Sequence, residues 1–208
     1  MVEVIPTILT TDIREVQEKL TRLEDLVRRV QIDIIDGVFV QNKTIDPLAM
    51  EGIDTALDLD FHLMTKEPAD WVEKSVRGGA GRIIGQVEMM SDQMEFLGKV
   101  QELGVSVGLG IDIATPVSAL DEAVLASLDV VLVMSVKAGF GGQEFDEKAL
   151  AKIKQLSQLR GGSAFGICVD GGVTPELIAK IKAAGADEVA VGKRLFDGDL
   201  TANLQKYG

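Results

Sequence analysis

A single cysteine, Cys168, stands in 208 residues, so no disulfide can form within the chain. Nothing in the sequence calls for an oxidising compartment. Aromatic side chains make up only 4% of the residues, which leaves a core to be filled by aliphatic ones. There is one histidine, His62, so imidazole chemistry has one place to occur. No apolar run approaches the length of a membrane span. The amino-terminal stretch MVEVIPTILTTDIREV carries acids early and lacks the basic start and long apolar centre of a secretory leader. A soluble cytoplasmic protein is expected. Lysine and arginine number 21 against 33 acids, a formal net charge of −12. Such a surface repels nucleic acid and anionic membranes, so neither is expected as a partner. A phosphorylated small molecule would need local positive potential against that background.

What is present is an alternation. Short β-rich apolar runs occupy 3–9, 30–36, 57–64, 81–87, 105–111, 128–136, 164–170 and 187–192. Seven of the gaps between runs are read as helical, and an eighth helix is expected to close the chain. The clearest helical patterns are 12–29, 91–104, 146–159 and 174–185. Eight β-then-α units argue for a parallel sheet covered by helices, and eight is the number that closes a barrel. The expected fold is α/β, one (β/α)₈ TIM barrel domain over 1–208. An open doubly wound sheet is the alternative, usually with fewer strands. No linker or low-complexity segment interrupts the pattern.

In a barrel of this kind the active site sits at the carboxyl ends of the strands, and unusual residues fall there. Gly171-Gly172 follows the seventh run, Gly192-Lys193 the eighth, and Gly141-Gly142 lies in the glycine-rich loop after the sixth. Backbone amides freed by glycine beside helix starts can hold a phosphate, although glycines also simply make tight turns. Lys193 at a helix start is unfavourable to the dipole unless an anion is present, which suits a phosphate partner. Lys137 could reach the site or simply be solvated, the more common outcome for such a lysine. Asp33, His62 and Asp170 also lie at strand ends. Side chains alternate along a strand, so Gln31, Asp33 and Ile35 share a face, as do Asp60, His62 and Met64. Two carboxylates and an imidazole on one rim could hold a divalent metal. They could instead form an acid/base pair that takes a proton from one face of a carbon and returns one to the other. As isolated acids they would merely cap helices or pair with basic side chains. Ile35, Met64 and Met134 could shield a carbanion from water, or simply pack the core. Cys168 reads as a small inward core residue.

Several stretches resemble the ribulose-phosphate 3-epimerase family, and the similarity covers nearly the whole chain. They are IPTIL (5–9), IDIIDGVFVQN (32–42), DFHLM (60–64), TPVSAL (115–120), VLVMSVKAGFGGQEF (131–145), VDGGVTPELI (169–178) and AGADEVAVGKRLF (184–196). The resemblance implies a barrel enzyme of the ribulose-phosphate-binding type. It would invert carbon 3 of a pentulose 5-phosphate (D-ribulose 5-phosphate to D-xylulose 5-phosphate) through an enediolate. It further implies a divalent metal between two histidines and two aspartates, the aspartates also serving as acid and base. On this sequence the matching aspartates are Asp33 and Asp170, and one matching histidine is His62. Gly171, Gly172 and Gly192 match phosphate-site positions, and Met64 and Met134 match a methionine collar near the reacting carbon. The family often forms symmetric oligomers, which leaves a homo-oligomer open, and this chain carries no clear interface signal of its own.

The departures fall around the site. The family's H-x-D-x-M-D-G reads Gln31-Ile32-Asp33-Ile34-Ile35-Asp36-Gly37, so Gln31 replaces a metal histidine and Ile35 a collar methionine. Gln41 replaces a proline, Lys137-Ala138 an Asn-Pro pair and Thr7 a substrate-side serine. Lys193 also stands at a serine position, and Gln86 where a histidine is common. Gln31 bears most on cofactor chemistry, because an amide oxygen is a weak neutral ligand where imidazole suits zinc or iron. Asp33, His62 and Asp170 would still offer three donors. These could serve zinc with open positions, or magnesium or manganese with waters, or a site that works without metal. Two other functions remain open. One is a non-catalytic sugar-phosphate binder. The other is a different ketose-phosphate enzyme on the same scaffold, disfavoured because Ile35 stands where the D-x-K-x-x-D motif of such enzymes has its lysine.

Overall fold

The computed structural model describes residues 2–161 and 165–208. Eight strands run β1 (Glu3–Ile8), β2 (Arg29–Ile35), β3 (Asp58–Met64), β4 (Arg82–Gln86), β5 (Ser106–Ile111), β6 (Val130–Met134), β7 (Gly166–Asp170) and β8 (Glu188–Val191). Each pairs in parallel with the next, and β8 pairs with β1 from Glu3↔Glu188 to Pro6↔Val191, closing a barrel. Ala164, placed in the seventh strand by its sequence, lies outside the described residues.

Helices follow the strands on the outside. They are α1 (Ile13–Leu23), α2 (Val72–Arg77), α3 (Gln93–Glu102), α4 (Glu122–Leu125), α5 (Lys148–Arg160), α6 (Ile178–Ala184), α7 (Lys193–Phe196) and α8 (Leu200–Gln205). In α1 the residues Val16, Leu20 and Leu23 recur at helical spacing and are all buried, while the Asp12 carboxylate caps the first turn by accepting from the Arg14 amide. Asp92 caps α3 in the same way.

Two expectations about helices need correction. The helix read over 12–29 ends at Leu23, because Asp25 takes a left-handed conformation with φ 66° and the chain is already in β2 at Arg29. The gap between β2 and β3 holds no α-helix, only a 3₁₀ turn over Pro47–Met50. Pro47 can open such a turn but not extend one backwards, and Gly52 with φ 86° ends the segment almost at once. The link from β5 to β6 is nearly as spare, a 3₁₀ turn and the four-residue α4.

The alternation of the strands divides the apolar residues in two. Outward-facing Ile32, Phe61, Ile83, Leu109, Val131 and Val169 pack beneath the helices in the main core. Inward-facing Ile5, Ile84, Leu132, Cys168 and Ala190 fill the barrel itself. Below them, at the amino ends of the strands, charged groups close the barrel. Arg82 pairs with Asp60 at 2.5 Å and with Glu188 at 2.7 Å, and Arg29 pairs with Asp60 at 2.6 Å. With the lower end plugged, the cavity of the barrel opens at the upper, carboxyl end.

Candidate active site

Asp33 and His62 are register partners on neighbouring strands, and Asp170 ends β7. All three side chains turn inward, and one donor atom from each lies within 4.8 Å of the others. The His62 Nδ1 atom is 3.3 Å from Asp33 Oδ1 and 3.8 Å from Asp170 Oδ2. His62 and Gln31 are fully buried, and Asp33 is 5% exposed. Gln31 sits two residues before Asp33 on the same face, and its Nε2 donates to Asp33 Oδ1 at 2.9 Å and to Asp170 Oδ2 at 2.7 Å. One neutral amide therefore spans the two acids.

The electrostatics follow from burial and crowding. Burial, and then the charge of Asp33, push the Asp170 carboxyl up to about 7, against the pull of His62 and the Gln31 hydrogen bond. Burial alone would lower His62. The Asp33 and Asp170 carboxylates, with Gln86 beside the ring, outweigh it and leave the imidazole above its usual range. Gln86 is itself fully buried, with neither amide atom in a complete hydrogen bond. It fits only because position 110 is glycine. A Cβ there would lie 2.0 Å from Gln86 Oε1 and 3.5 Å from His62 Nε2.

Above this floor opens a cavity of about 740 Å³. Asp33 and Asp170 reach its base, and Thr7, Met64 and Met134 line its wall. Gly171, Gly172, Gly192 and Lys193 line one side, and Gly141 and Gly142 contribute from the loop after β6. Ile35 is buried with Met64 and Met134 in the inner cluster. Gly171 and Gly172 both take positive φ, 111° and 60°. A Cβ on Gly172 would stand 2.4 Å from the Phe145 amide, so glycine there lets the β7 and β6 loops touch. Of the two readings of Lys137 the structure has the solvated one: the residue is exposed and does not line the cavity. Asp36 stays out of the site and braces its loop, accepting from the amides of Val38, Phe39 and Lys66.

Some contributors escaped the sequence reading. Ser135 donates to the backbone carbonyls of Asp170 and Gly171, fixing the end of β7. Lys19 and Arg22 of α1 and Arg194 of α7 add positive charge to the cavity wall, with Lys19 and Arg22 lying over the Phe196 ring at 4.7 and 5.8 Å. The amphipathic spacing of α1 was the only available signal, and it does not show what the polar face meets.

Among solved structures, the chain superposes on a 3-keto-L-gulonate-6-phosphate decarboxylase from Vibrio cholerae with a TM-score of 0.74, covering 99% of this chain and 95% of that one at 13% identity. At that identity the likeness speaks for the barrel alone. Sequence relatives are nearer. A ribulose-phosphate 3-epimerase of Treponema pallidum is 34% identical over 206 residues, covering 97% of this chain and 94% of the relative. One from Synechocystis is 36% identical over 202 residues, covering 93% and 87%. The model of the ribulose-phosphate 3-epimerase family matches residues 3–196, which takes in all eight strands and both carboxylates at the cavity floor. With a match of that extent, the chain belongs to the ribulose-phosphate 3-epimerase family.

Proposed function

We propose that this protein inverts carbon 3 of a ketose phosphate, interconverting D-ribulose 5-phosphate and D-xylulose 5-phosphate, with Asp33 and Asp170 as the proton-transferring pair. The observation that carries the reading is the pair itself, two inward carboxylates joined through one amide at the base of a cavity. One carboxylate removes the carbon 3 proton and the other, in acid form, delivers a proton to the opposite face. A carboxyl that titrates near 7 is suited to carry a proton at neutral pH, and Asp170 is raised to about 7. Met64 and Met134, which line the cavity, keep water from the enediolate, with Ile35 packed in the same inner cluster behind the lining. The phosphate lies against the amides of Gly171, Gly172 and Gly192 with Lys193 beside it, closed over by Gly141 and Gly142, and Thr7 faces the sugar.

The donor set suits a divalent cation. Asp33 Oδ1 and Asp170 Oδ2 both lie near His62 Nδ1, which is buried with no hydrogen-bond partner among the described residues. Asp33, His62 and Asp170 would hold the ion. A bound divalent cation supplies Lewis-acid stabilisation of the negative charge that develops as the proton leaves.

Exchange of the carbon 3 proton with solvent deuterium tests the reading. Ribulose 5-phosphate in heavy water should gain one deuterium at carbon 3 and yield xylulose 5-phosphate. D33N and D170N should each slow both processes by about 10²- to 10⁴-fold. Tight binding of the sugar phosphate with no exchange, under any of zinc, manganese, iron or magnesium, would make the protein a binder and reject the assignment.

A further inference from the structure

Four polar tips surround one point at the floor of the cavity: Asp33 Oδ1, Asp170 Oδ2, His62 Nδ1 and the Gln31 carboxamide. The Gln31 amide presents its nitrogen to this point and spends one N–H on each carboxylate. Its oxygen, Oε1, is buried without a partner among the described residues. The arrangement suits two carboxyl groups brought close together. Oε1 turned inward would meet two carboxylate oxygens and be repelled. A cation at the centre reverses every one of those preferences. The N–H groups would then repel the ion, and the stranded oxygen would be attracted to it. A half-turn about the Cγ–Cδ bond exchanges the two atoms without moving the backbone, and that terminal torsion is soft and roughly two-fold. His62 already points Nδ1 at the same place, with Gln86 behind Nε2 in the space Gly110 leaves.

We propose that Gln31 is a two-position arm: its amide nitrogen clamps Asp33 and Asp170 in the metal-free protein, and its Oε1 turns inward as the fourth donor when a divalent cation binds. The inference rests on reading Asp33, His62 and Asp170 as a cation site. It does not depend on which sugar is turned over. The chemistry of the arm has a consequence for selectivity. An amide oxygen is a hard, neutral donor that gives zinc less advantage over manganese than an imidazole would.

The test uses full-length protein stripped of metal and titrated calorimetrically with Mn²⁺ and with Zn²⁺, without substrate. Q31L, which removes the oxygen and leaves an apolar side chain one atom shorter, should weaken Mn²⁺ binding by at least about tenfold. Q31H should raise the ratio of zinc to manganese affinity by at least about tenfold. If Gln31 merely blocked the centre, Q31L would bind both ions as tightly as the wild type or more tightly, and the proposal would fall. Should Q31L not fold, the wild type alone decides. With ¹⁵N-labelled glutamine side chains, the Gln31 NH₂ resonance should shift as both hydrogen bonds are lost on saturation with Zn²⁺. An unchanged resonance under saturation, or no binding of either ion, would equally overturn it. Failure of deuterium exchange with these metal results intact would reject the epimerase reading and leave the arm standing.

Discussion

Asp170 ends β7 under the cavity, and the Gln31 amide ties it to Asp33. Burial and the Asp33 charge raise its pKa to about 7, whereas an aspartate in an unfolded chain titrates near 3.8. A carboxyl whose folded pKa is raised contributes stability that is complete below the unfolded value and is lost as pH climbs through the folded one. The window here runs from about pH 4 to about pH 7. The raised pKa of His62 acts in the same direction. D170N replaces the carboxyl with a neutral group of the same shape, so it removes this dependence. In metal-free protein D170N should match the wild type within error at pH 4 and be more stable at pH 8, by an amount on the order of a few kcal/mol. Urea midpoints at the two pH values read this directly. A D170N variant less stable than the wild type at pH 8 would show that the ionised carboxyl is well paired after all.

At the scale of elements, the touching loops after β6 and β7 decide how the phosphate side is built. Gly172 carries φ 60° and leaves no room for a Cβ against the Phe145 amide and the Glu144 carbonyl carbon, which would lie at 2.4 and 2.7 Å. G172A must therefore displace the 137–145 loop or its own turn. Under the proposed function we expect KM for the sugar phosphate to rise by about tenfold or more while the fold survives, checked by steady-state kinetics alongside circular dichroism. An unchanged KM would remove this loop contact from the phosphate site. The strands themselves were legible to within a residue or two, because each is a short apolar run between turn residues. The helices were less so. Leu26, Val27 and Val30 continue the spacing of α1, yet Asp25 breaks the helix with a left-handed φ that the sequence does not announce. The acids at the floor could be found because strand ends are where such a fold keeps its chemistry. Gln86 stood out as a departure near the site, but its contact with His62 could not be read, since that contact depends on the β3–β4–β5 register and on a glycine at 110 that reads, alone, as an ordinary strand weakness.

The whole molecule sets a charged plug at the amino ends of its strands against a reactive pair at the carboxyl ends. Arg82, fixed between Asp60 and Glu188, joins β4 to β3 and to β8 across the barrel interior. Burial raises Asp60 despite both arginines beside it, so dehydration of that carboxylate is not fully repaid by its partners. An ion set of this kind contributes little net stability over an apolar filling, but it is severe to break. R82M leaves the fully buried Asp60 with Arg29 alone and the mostly buried Glu188 without a cation. The expected loss is about 3–5 kcal/mol of unfolding free energy. Asp33 and Asp170 keep the Gln31 amide between them, and Asp33 and His62 lie two residues further along β2 and β3 than the Gln31–Asp60 register pair. Exchange kinetics of the folded fraction should therefore stay within about twofold of the wild type, since separated sites act nearly independently. Urea denaturation and deuterium exchange on the same preparation check both halves. A variant that kept its stability would mean Asp60 and Glu188 find protons or water when Arg82 is gone. One that folded but lost exchange would mean the plug sets the geometry of the acids, and the two ends of the barrel are coupled rather than merely stacked.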